Sequence, residues 1–199
     1  MAKVKEILKN AVVLFLITAV VSALLAGANL LTKDKIAQNS ALAEQKALAE
    51  VIEADGFEVA EQIALYELQE PITGAYFAKS NSEIVGCCVK VEPSGYGGAM
   101  ELIFGVDTNL AITGVSVLSH GETAGLGANI TKEEFRNQFK GKTAVVGAAK
   151  SAQKADEIQA LSGATISSKA IARGADTALA AAKWLMQTPG LNAEMEAVK

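Results

Sequence analysis

The sequence has few of the residues that build metal centres. Of its 199 residues, one is histidine and two are cysteine. The single histidine, His120, excludes a metal site with several histidine ligands. Cys87 and Cys88 are neighbours in a β-prone run, so their side chains point to opposite faces and cannot bind one metal ion together. A four-cysteine iron–sulfur cluster is also excluded, and we predict that both thiols pack in the core.

Two further function classes fit poorly. Ser162 lacks the Gly-x-Ser-x-Gly setting of a hydrolase nucleophile, and His120 is more typical of a hydrogen-bonding loop residue than of a catalytic base. The net charge of −4 disfavours a nucleic-acid partner, which would require a basic surface. We therefore predict no catalytic side chain, no metal site and no nucleic-acid binding.

Charged residues are missing between Lys9 and Lys33, where the chain is almost wholly apolar. A helix of roughly 20 such residues crosses the hydrocarbon core of a membrane. Three lysines precede the run, which favours a cytoplasmic N-terminus at residues 1–9 and a single transmembrane helix at residues 10–32. The rest of the chain would then lie on the extracytoplasmic face of the cell (inner) membrane. The span has no ionisable residue, so it cannot form an ion path alone.

Two features near this run have a second interpretation. Ala26-Gly27-Ala28 looks like a signal-peptide cleavage site, but the apolar run continues past it and we favour a retained anchor. Residues 33–56 predict an amphipathic linker helix that docks on the following domain and stops near Gly56. A solvated stalk is the alternative for this helix.

Residues 57–199 predict an α+β domain. Three β-prone runs separated by turn residues favour an antiparallel sheet. The runs span residues 84–91, 100–106 and 112–118. A helix near residues 132–139, a short strand at 143–146 and a long final helix follow. The fold class is therefore α+β, with one N-terminal transmembrane helix and then an antiparallel sheet domain with flanking helices.

A turn of small residues at positions 161–170 leads into the final helix. Its hydroxyl groups lie at a helix start, where unpaired N–H groups and the positive end of the dipole favour a phosphate. Gly163 would let the backbone approach such a ligand closely. A plain helix cap is the alternative. Two glycine-rich stretches, residues 94–98 and 120–127, would accommodate a flat ligand or are only turns.

The anchor, the loop His120-Gly-Glu-Thr-Ala-Gly-Leu-Gly127 and the motif Leu161-Ser-Gly-Ala-Thr-Ile-Ser resemble the covalently flavinylated FMN-binding domain proteins. In size and single anchor the chain is similar to the family of G subunits of the Rnf electron-transport complex, which is related to the C subunit of the sodium-pumping NADH:quinone reductase. The resemblance implies that residues 57–199 are an FMN-binding domain and that Thr165 carries FMN through a phosphoester bond. A separate flavin transferase would attach it.

The same resemblance implies the other cofactor-binding residues. Around the phosphate they are Ser162, Gly163, Ala164, Ser167 and Ser168. Along the flavin they are Glu122, Thr123, Gly125, Leu126 and Gly127. Two positions depart from the family pattern: Ala124 replaces a proline, and Gln159 stands six residues before Thr165, where the transferase signature has aspartate.

By this resemblance the chain is an electron carrier, not a complete enzyme. It would belong to a membrane-bound ferredoxin:NAD oxidoreductase coupled to Na⁺ or H⁺, with integral-membrane and iron–sulfur subunits as partners. The C subunit of a sodium-pumping NADH:quinone reductase, or another extracytoplasmic flavinylated carrier, is the nearest alternative. An alternative of another class is a membrane-anchored binding or assembly module without redox chemistry, whose glycine loops are only turns.

Overall fold

The computed structural model describes residues 2–61, 63, 71–145 and 147–187. The chain divides into two compact units, Met1–Ala43 and Glu44–Lys199. The first unit is formed by most of helix α1, which spans Ala2–Val51. Its large apolar side chains from Ile7 to Leu31 are exposed. Within the described residues, this is the one helix that is long and apolar enough to cross a membrane, with a mean hydropathy of 2.6 in its most apolar window.

The second unit contains a five-stranded antiparallel sheet in the order β1-β2-β3-β4-β5. Its strands are β1 (Gly56–Val59), β2 (Ile72–Ser80), β3 (Glu83–Val91), β4 (Glu101–Asp107) and β5 (Ile112–Ser119). After the sheet come a 3₁₀ turn (Gly127–Thr131), the short helix α2 (Glu133–Arg136) and a second 3₁₀ turn (Asn137–Phe139). A parallel pair, β6 (Gly147–Ala149) and β7 (Glu157–Gln159), then leads to the final helix α3 (Thr165–Gln187).

Helix α3 covers one face of the sheet. Its alanine-rich stripe and Gly174 allow a close approach, since a Cβ atom at Gly174 would lie 3.2 Å from Pro93 and 3.3 Å from Val91. Phe104 of β4 and Phe139 pack edge to face in the same core, with ring centroids 6.1 Å apart. This packing fixes where α3 begins relative to the loops at the end of the sheet.

The last turns of α1 cover the opposite face. Ala47, Leu48 and Val51, with Ile52 directly after the helix, are buried against Ala78, Cys88 and Ile103. The C-terminal part of the predicted linker helix therefore packs as part of the sheet domain. The two cysteines are fully buried on opposite faces, Cys87 toward α3 and Cys88 toward α1. Both are packing thiols, as predicted, and burial raises the pKa of Cys87 to about 12.

The antiparallel sheet with flanking helices confirms the predicted α+β class. The prediction of a short strand at residues 143–146 is wrong, because residues 143–145 are not in a strand; Val146 lies outside the described residues. The strand here is β6, just downstream, and it pairs with β7. Strands β1, β2 and β7 were not predicted. Strands as short as β6 and β7 carry no readable periodicity, and their pairing depends on contacts distant in sequence.

A cavity at the start of the last helix

A cavity of about 610 Å³ lies beside the start of α3. Four chain segments line it: the hairpin loop at residues 94–98, the loop at 120–127, Lys150 directly after β6, and the turn into α3. Its lining consists of Tyr96, Glu122, Thr123, Leu126, Gly127, Lys150, Gly163, Ala164, Thr165, Ile166 and Ser167. The tertiary structure thus brings both glycine-rich stretches to the small-residue turn.

The turn presents the positive end of α3 to this cavity. The Ala164 N–H donates to the Leu161 carbonyl at 3.0 Å, and the first intrahelical bond runs from the Ser168 N–H to the Ala164 carbonyl. The N–H groups of Thr165, Ile166 and Ser167 come before that bond and have no partner within the helix. All three residues line the cavity. An anion in the cavity would therefore find backbone donors and a favourable dipole.

Gly163 has a backbone conformation that favours glycine, with φ at +76°. A Cβ atom there would also lie 3.1 Å from Cδ2 of Leu126. The missing side chain therefore allows both the turn and its contact with the 120–127 loop.

Glu122 is the polar centre of the site. It is 8% exposed, and its Oε1 accepts hydrogen bonds from the N–H groups of Tyr96 at 2.8 Å and Gly97 at 3.1 Å. Its Oε2 accepts a hydrogen bond from the Ser167 hydroxyl at 2.7 Å. Burial raises the pKa of Glu122, but these bonds outweigh burial and hold the pKa below its ordinary value. A single carboxylate therefore ties two loops to the first turn of α3.

Two glycines make room for this carboxylate network. A Cβ atom at Gly127 would lie 2.3 Å from Oε2 of Glu122, and one at Gly97 would lie 2.0 Å from the Gly121 carbonyl oxygen. No side chain fits at these distances. The two glycine-rich stretches are therefore close-packed against each other and are more than turns.

Several predicted site residues have other positions. Ser168 is fully buried; its hydroxyl donates to the Ala164 carbonyl at 2.9 Å and accepts the Leu161 N–H at 3.0 Å. This hydroxyl shapes the turn and has no proton left for a ligand. Ser162 is exposed and, like Gly125, does not line the cavity. Gly125 instead supplies a tight turn with φ at +78°.

His120 forms a hydrogen bond within its loop, as predicted, and its Nδ1 accepts the Glu122 N–H at 3.2 Å.

Three lining residues were not predicted: Tyr96, Lys150 and Ile166. Tyr96 is 73% exposed and Ile166 is 54% exposed, so with Leu126 they form an apolar rim of exposed side chains. A lone aromatic residue within a glycine-rich stretch was a sequence signal for Tyr96. Ile166 was visible only as part of a helical pattern, and nothing local to Lys150 sets it apart.

Comparison with known proteins identifies the class of the domain. An FMN-binding domain model matches residues 95–180, which include the loops and the turn around the cavity. A model of the RnfG N-terminal region matches residues 1–51.

Curated relatives extend the likeness over nearly the whole chain. The G subunit of the Na⁺-translocating ferredoxin:NAD⁺ oxidoreductase complex of Acetobacterium woodii is 34% identical, covering 88% of this chain and 91% of the relative. The G subunit of the ion-translocating oxidoreductase complex of Methanosarcina acetivorans is 33% identical, covering 86% and 92%. The chain belongs to the family of G subunits of these Rnf-type oxidoreductase complexes. This confirms the predicted resemblance and FMN as the cofactor.

Other comparisons cover less of the chain. The G subunit of the proton-translocating ferredoxin:NAD⁺ oxidoreductase complex of Clostridium ljungdahlii is 41% identical over 52% of this chain and 57% of the relative. Among solved structures, the C subunit of the Na⁺-translocating NADH-quinone reductase from Parabacteroides distasonis has a TM-score of 0.47 at 25% identity, covering 58% of this chain and 63% of that one. NqrC from Shewanella oneidensis has a TM-score of 0.48 at 19% identity, covering 57% and 58%.

The cavity fits FMN on its own geometry. The helix start offers donors to a phosphate, and the glycine at position 163 leaves the approach open. The exposed apolar rim of Tyr96, Leu126 and Ile166 offers a surface to a flat ring system. The cavity therefore has separate surfaces suited to the two ends of the cofactor.

Proposed function

We propose that this chain carries electrons on FMN joined through its phosphate to the Thr165 hydroxyl, within a membrane-bound ion-translocating ferredoxin:NAD oxidoreductase complex. The observation that carries the proposal is that Thr165, the first residue of α3, lines the same cavity as Glu122 and Gly127 of the family loop. When bound, FMN supplies the redox chemistry, while the protein binds and orients it.

Different residues of the chain would bind the phosphate and the ring of FMN. The N–H groups of Ile166 and Ser167 lie beside Thr165 and are suited to hold phosphoester oxygens. The Ser167 hydroxyl proton is engaged by Glu122, so this side chain positions the helix start instead of donating to the phosphate. Tyr96, Leu126 and Ile166 would contact the ring and exclude water from it. A ring at an open rim remains close to the surface, as exchange of electrons with other proteins of the complex requires.

Intact mass measurement tests this site. The chain purified from its own host and denatured should carry an excess mass of FMN minus water, mapped to the peptide that contains Thr165. A Thr165→Ala variant should lose that mass and its yellow colour. Ser162→Ala is the matched control, since it removes a hydroxyl of the same turn that does not line the cavity. Flavin that stays on the denatured Thr165→Ala chain would show that the attachment site is elsewhere.

The proposed transferase would act on a well-supported turn. Gln159, at the position where the transferase signature has aspartate, is held by a pair of hydrogen bonds with Gln138, of 2.8 Å and 3.3 Å. Gln159 is exposed at the end of β7 and so is accessible to another protein. Gln159→Asp should leave flavinylation intact or make it faster, and a loss of flavin in this variant would exclude recognition of a carboxylate at this position.

The proposed topology places residues 1–9 in the cytoplasm, a membrane span at residues 10–32 and the flavin domain on the extracytoplasmic face. Its support is the charge-free apolar run within α1 and the three lysines before it. Single cysteines introduced as Ala2→Cys and Ser40→Cys test it, because Ser40 is exposed and the native cysteines are buried. A membrane-impermeant maleimide should label intact spheroplasts of Ser40→Cys alone; labelling of Ala2→Cys alone would invert the topology.

The proposed partners are the iron–sulfur and integral-membrane subunits of the same complex. Affinity purification from the native membrane separates this assignment from its alternative, since a sodium-pumping quinone reductase would copurify with different subunits. A colourless chain that copurifies with neither set would instead favour a binding or assembly module without redox chemistry.

A further inference from the structure

Lys150 is the one basic side chain that lines the cavity among the described residues. It directly follows β6, whose last residue, Ala149, accepts the Ala160 N–H at 2.7 Å. Because β6 and β7 are parallel, the residues that leave their carboxyl ends emerge at the same edge. Lys150 therefore lies beside the segment that runs from β7 into α3.

That segment is tied to the first turn of α3. One residue after Ala160, the Leu161 N–H donates to the Ser168 hydroxyl at 3.0 Å, and the Leu161 carbonyl accepts the Ala164 N–H at 3.0 Å. Two short hydrogen-bonded links thus connect the backbone next to Lys150 with the helix start at Thr165. The long flexible stem of a lysine readily spans such a separation.

The charge of Lys150 is not used within the cavity. The side chain is exposed, and no described carboxylate lies in an ion pair with it. Glu122, which also lines the cavity, already accepts three hydrogen bonds from Tyr96, Gly97 and Ser167. Lys150 is therefore a cation available to a ligand in a cavity that the N–H groups of the helix start also line.

We propose that Lys150 is the counter-ion of the phosphoester at Thr165. The inference rests on the proposed attachment of FMN and adds the residue that neutralises its anionic link. A phosphodiester carries a full negative charge, and a lysine pairs with phosphate as a point charge. Lys150 would also favour the approach of the anionic flavin nucleotide before attachment, so it should matter both before and after the bond forms.

Competitive amine labelling tests the pairing without measuring activity. The full-length flavinylated chain and the Thr165→Ala chain are treated in detergent with a limiting amount of acetic anhydride, and each lysine is quantified by peptide mass. Lys154 is the internal control, because it is exposed on the same segment but does not line the cavity. Lys150 should be acetylated at least about fivefold more slowly in the flavinylated chain, with Lys154 unchanged. Equal rates for Lys150 in the two chains would overturn the proposal.

Two variants separate charge pairing from simple covering by the flavin ring. With limiting transferase, Lys150→Gln should be flavinylated several-fold more slowly, whereas Lys150→Arg and Lys154→Gln should match the native chain. Full-rate flavinylation of Lys150→Gln would overturn the proposal.

Once flavinylated, Lys150→Gln should keep the native midpoint potential. A tenfold change in the ratio of oxidised to reduced flavin, about 30 mV for a two-electron couple, would place Lys150 at the ring and also overturn it.

Intact mass measurement distinguishes failure of the counter-ion proposal from failure of the attachment proposal. If the chain carries flavin but Lys150 is not protected from acetylation, only the counter-ion role of Lys150 is refuted. A chain that never carries flavin refutes the attachment, and the counter-ion with it.

Discussion

The Ser167 hydroxyl donates a 2.7 Å hydrogen bond to the Glu122 carboxylate, joining two residues 45 positions apart in the chain. Both are buried, and the other oxygen of Glu122 is held by two backbone N–H groups of the 94–98 loop. This contact positions the first turn of α3 against both loops. The position of Thr165, the first residue of α3, therefore depends on the Glu122 carboxylate, which is bonded to Ser167.

Removal of the Ser167 hydroxyl should destabilise the fold measurably. Ser167→Ala leaves Oε2 of a buried carboxylate without its donor, which costs about 1–3 kcal/mol. We expect the midpoint of chemical unfolding of the full chain in detergent to fall accordingly. Ser162→Ala, an exposed hydroxyl of the same turn, should change the free energy of unfolding by less than about 0.5 kcal/mol. Equal losses in the two variants would show that the Glu122 contact contributes nothing specific.

The Glu122 network should also make stability depend on acid pH. The folded-state pKa of Glu122 is lowered from an ordinary value of 4.5, so its stabilising contribution is present above that value. It is lost as the pH falls through the folded-state pKa. The native chain and Glu122→Gln, which cannot titrate here, should therefore differ most in melting temperature near pH 7 and converge as the pH falls below 4.5 and through the folded-state pKa. A difference that stays constant from neutral to acid pH would contradict this assignment.

A methyl group at Gly127 should disrupt the site. In Gly127→Ala the new Cβ atom would lie 2.3 Å from Oε2 and 2.9 Å from Cβ of Glu122, so the loop must shift. Overpacking of this kind costs about 1–3 kcal/mol, and the displaced loop should reduce flavin incorporation as measured by intact mass. Gly56→Ala is the control, because its Cβ atom would meet nothing within 4 Å. Native flavin content and stability in Gly127→Ala would refute the close packing.

Lys90 should add to the apolar packing that holds the end of α1 to the sheet. Its Nζ lies 2.8 Å from both Glu44 of α1 and Glu101 of β4, and the Lys90 side chain is only 15% exposed. Lys90→Met leaves two carboxylates without their cation, and we expect a loss of about 1 kcal/mol in unfolding experiments. Lys79→Met breaks an exposed pair with Glu58 and should cost less than about 0.5 kcal/mol. The opposite ranking would show that the buried pair gives no extra stability.

The two cysteines should be inert in the folded chain. Burial raises the pKa of Cys87 to about 12 and that of Cys88 further still, and the thiolate is the reactive form. A maleimide should therefore modify neither thiol at pH 7 under native conditions and both thiols after denaturation. Rapid labelling of the native chain would show that one face of the sheet opens, and would require both cysteines to be replaced before the topology experiment.

Features whose physics is local could be predicted from the order of residues alone. A charge-free apolar run of about 20 residues can cross a membrane whatever the rest of the fold. The N–H groups at a helix start lack partners within the helix, and this too needs no tertiary contact. The adjacent cysteines had to face opposite sides of a strand. Thr165 and the 120–127 loop came from a resemblance between short motifs, which also needs no fold.

How these pieces cooperate follows only from the packing of the folded chain. Ser167 and Ser168 are adjacent serines that the sequence does not distinguish. In the fold the Ser167 hydroxyl donates to Glu122, whereas the Ser168 hydroxyl donates to the Ala164 carbonyl within the turn, because the two side chains point in different directions from α3. Lys150 reaches the cavity through the pairing of two three-residue strands that are too short to show a pattern. Such roles depend on contacts between residues far apart in the chain, and local propensity contains no information about those contacts.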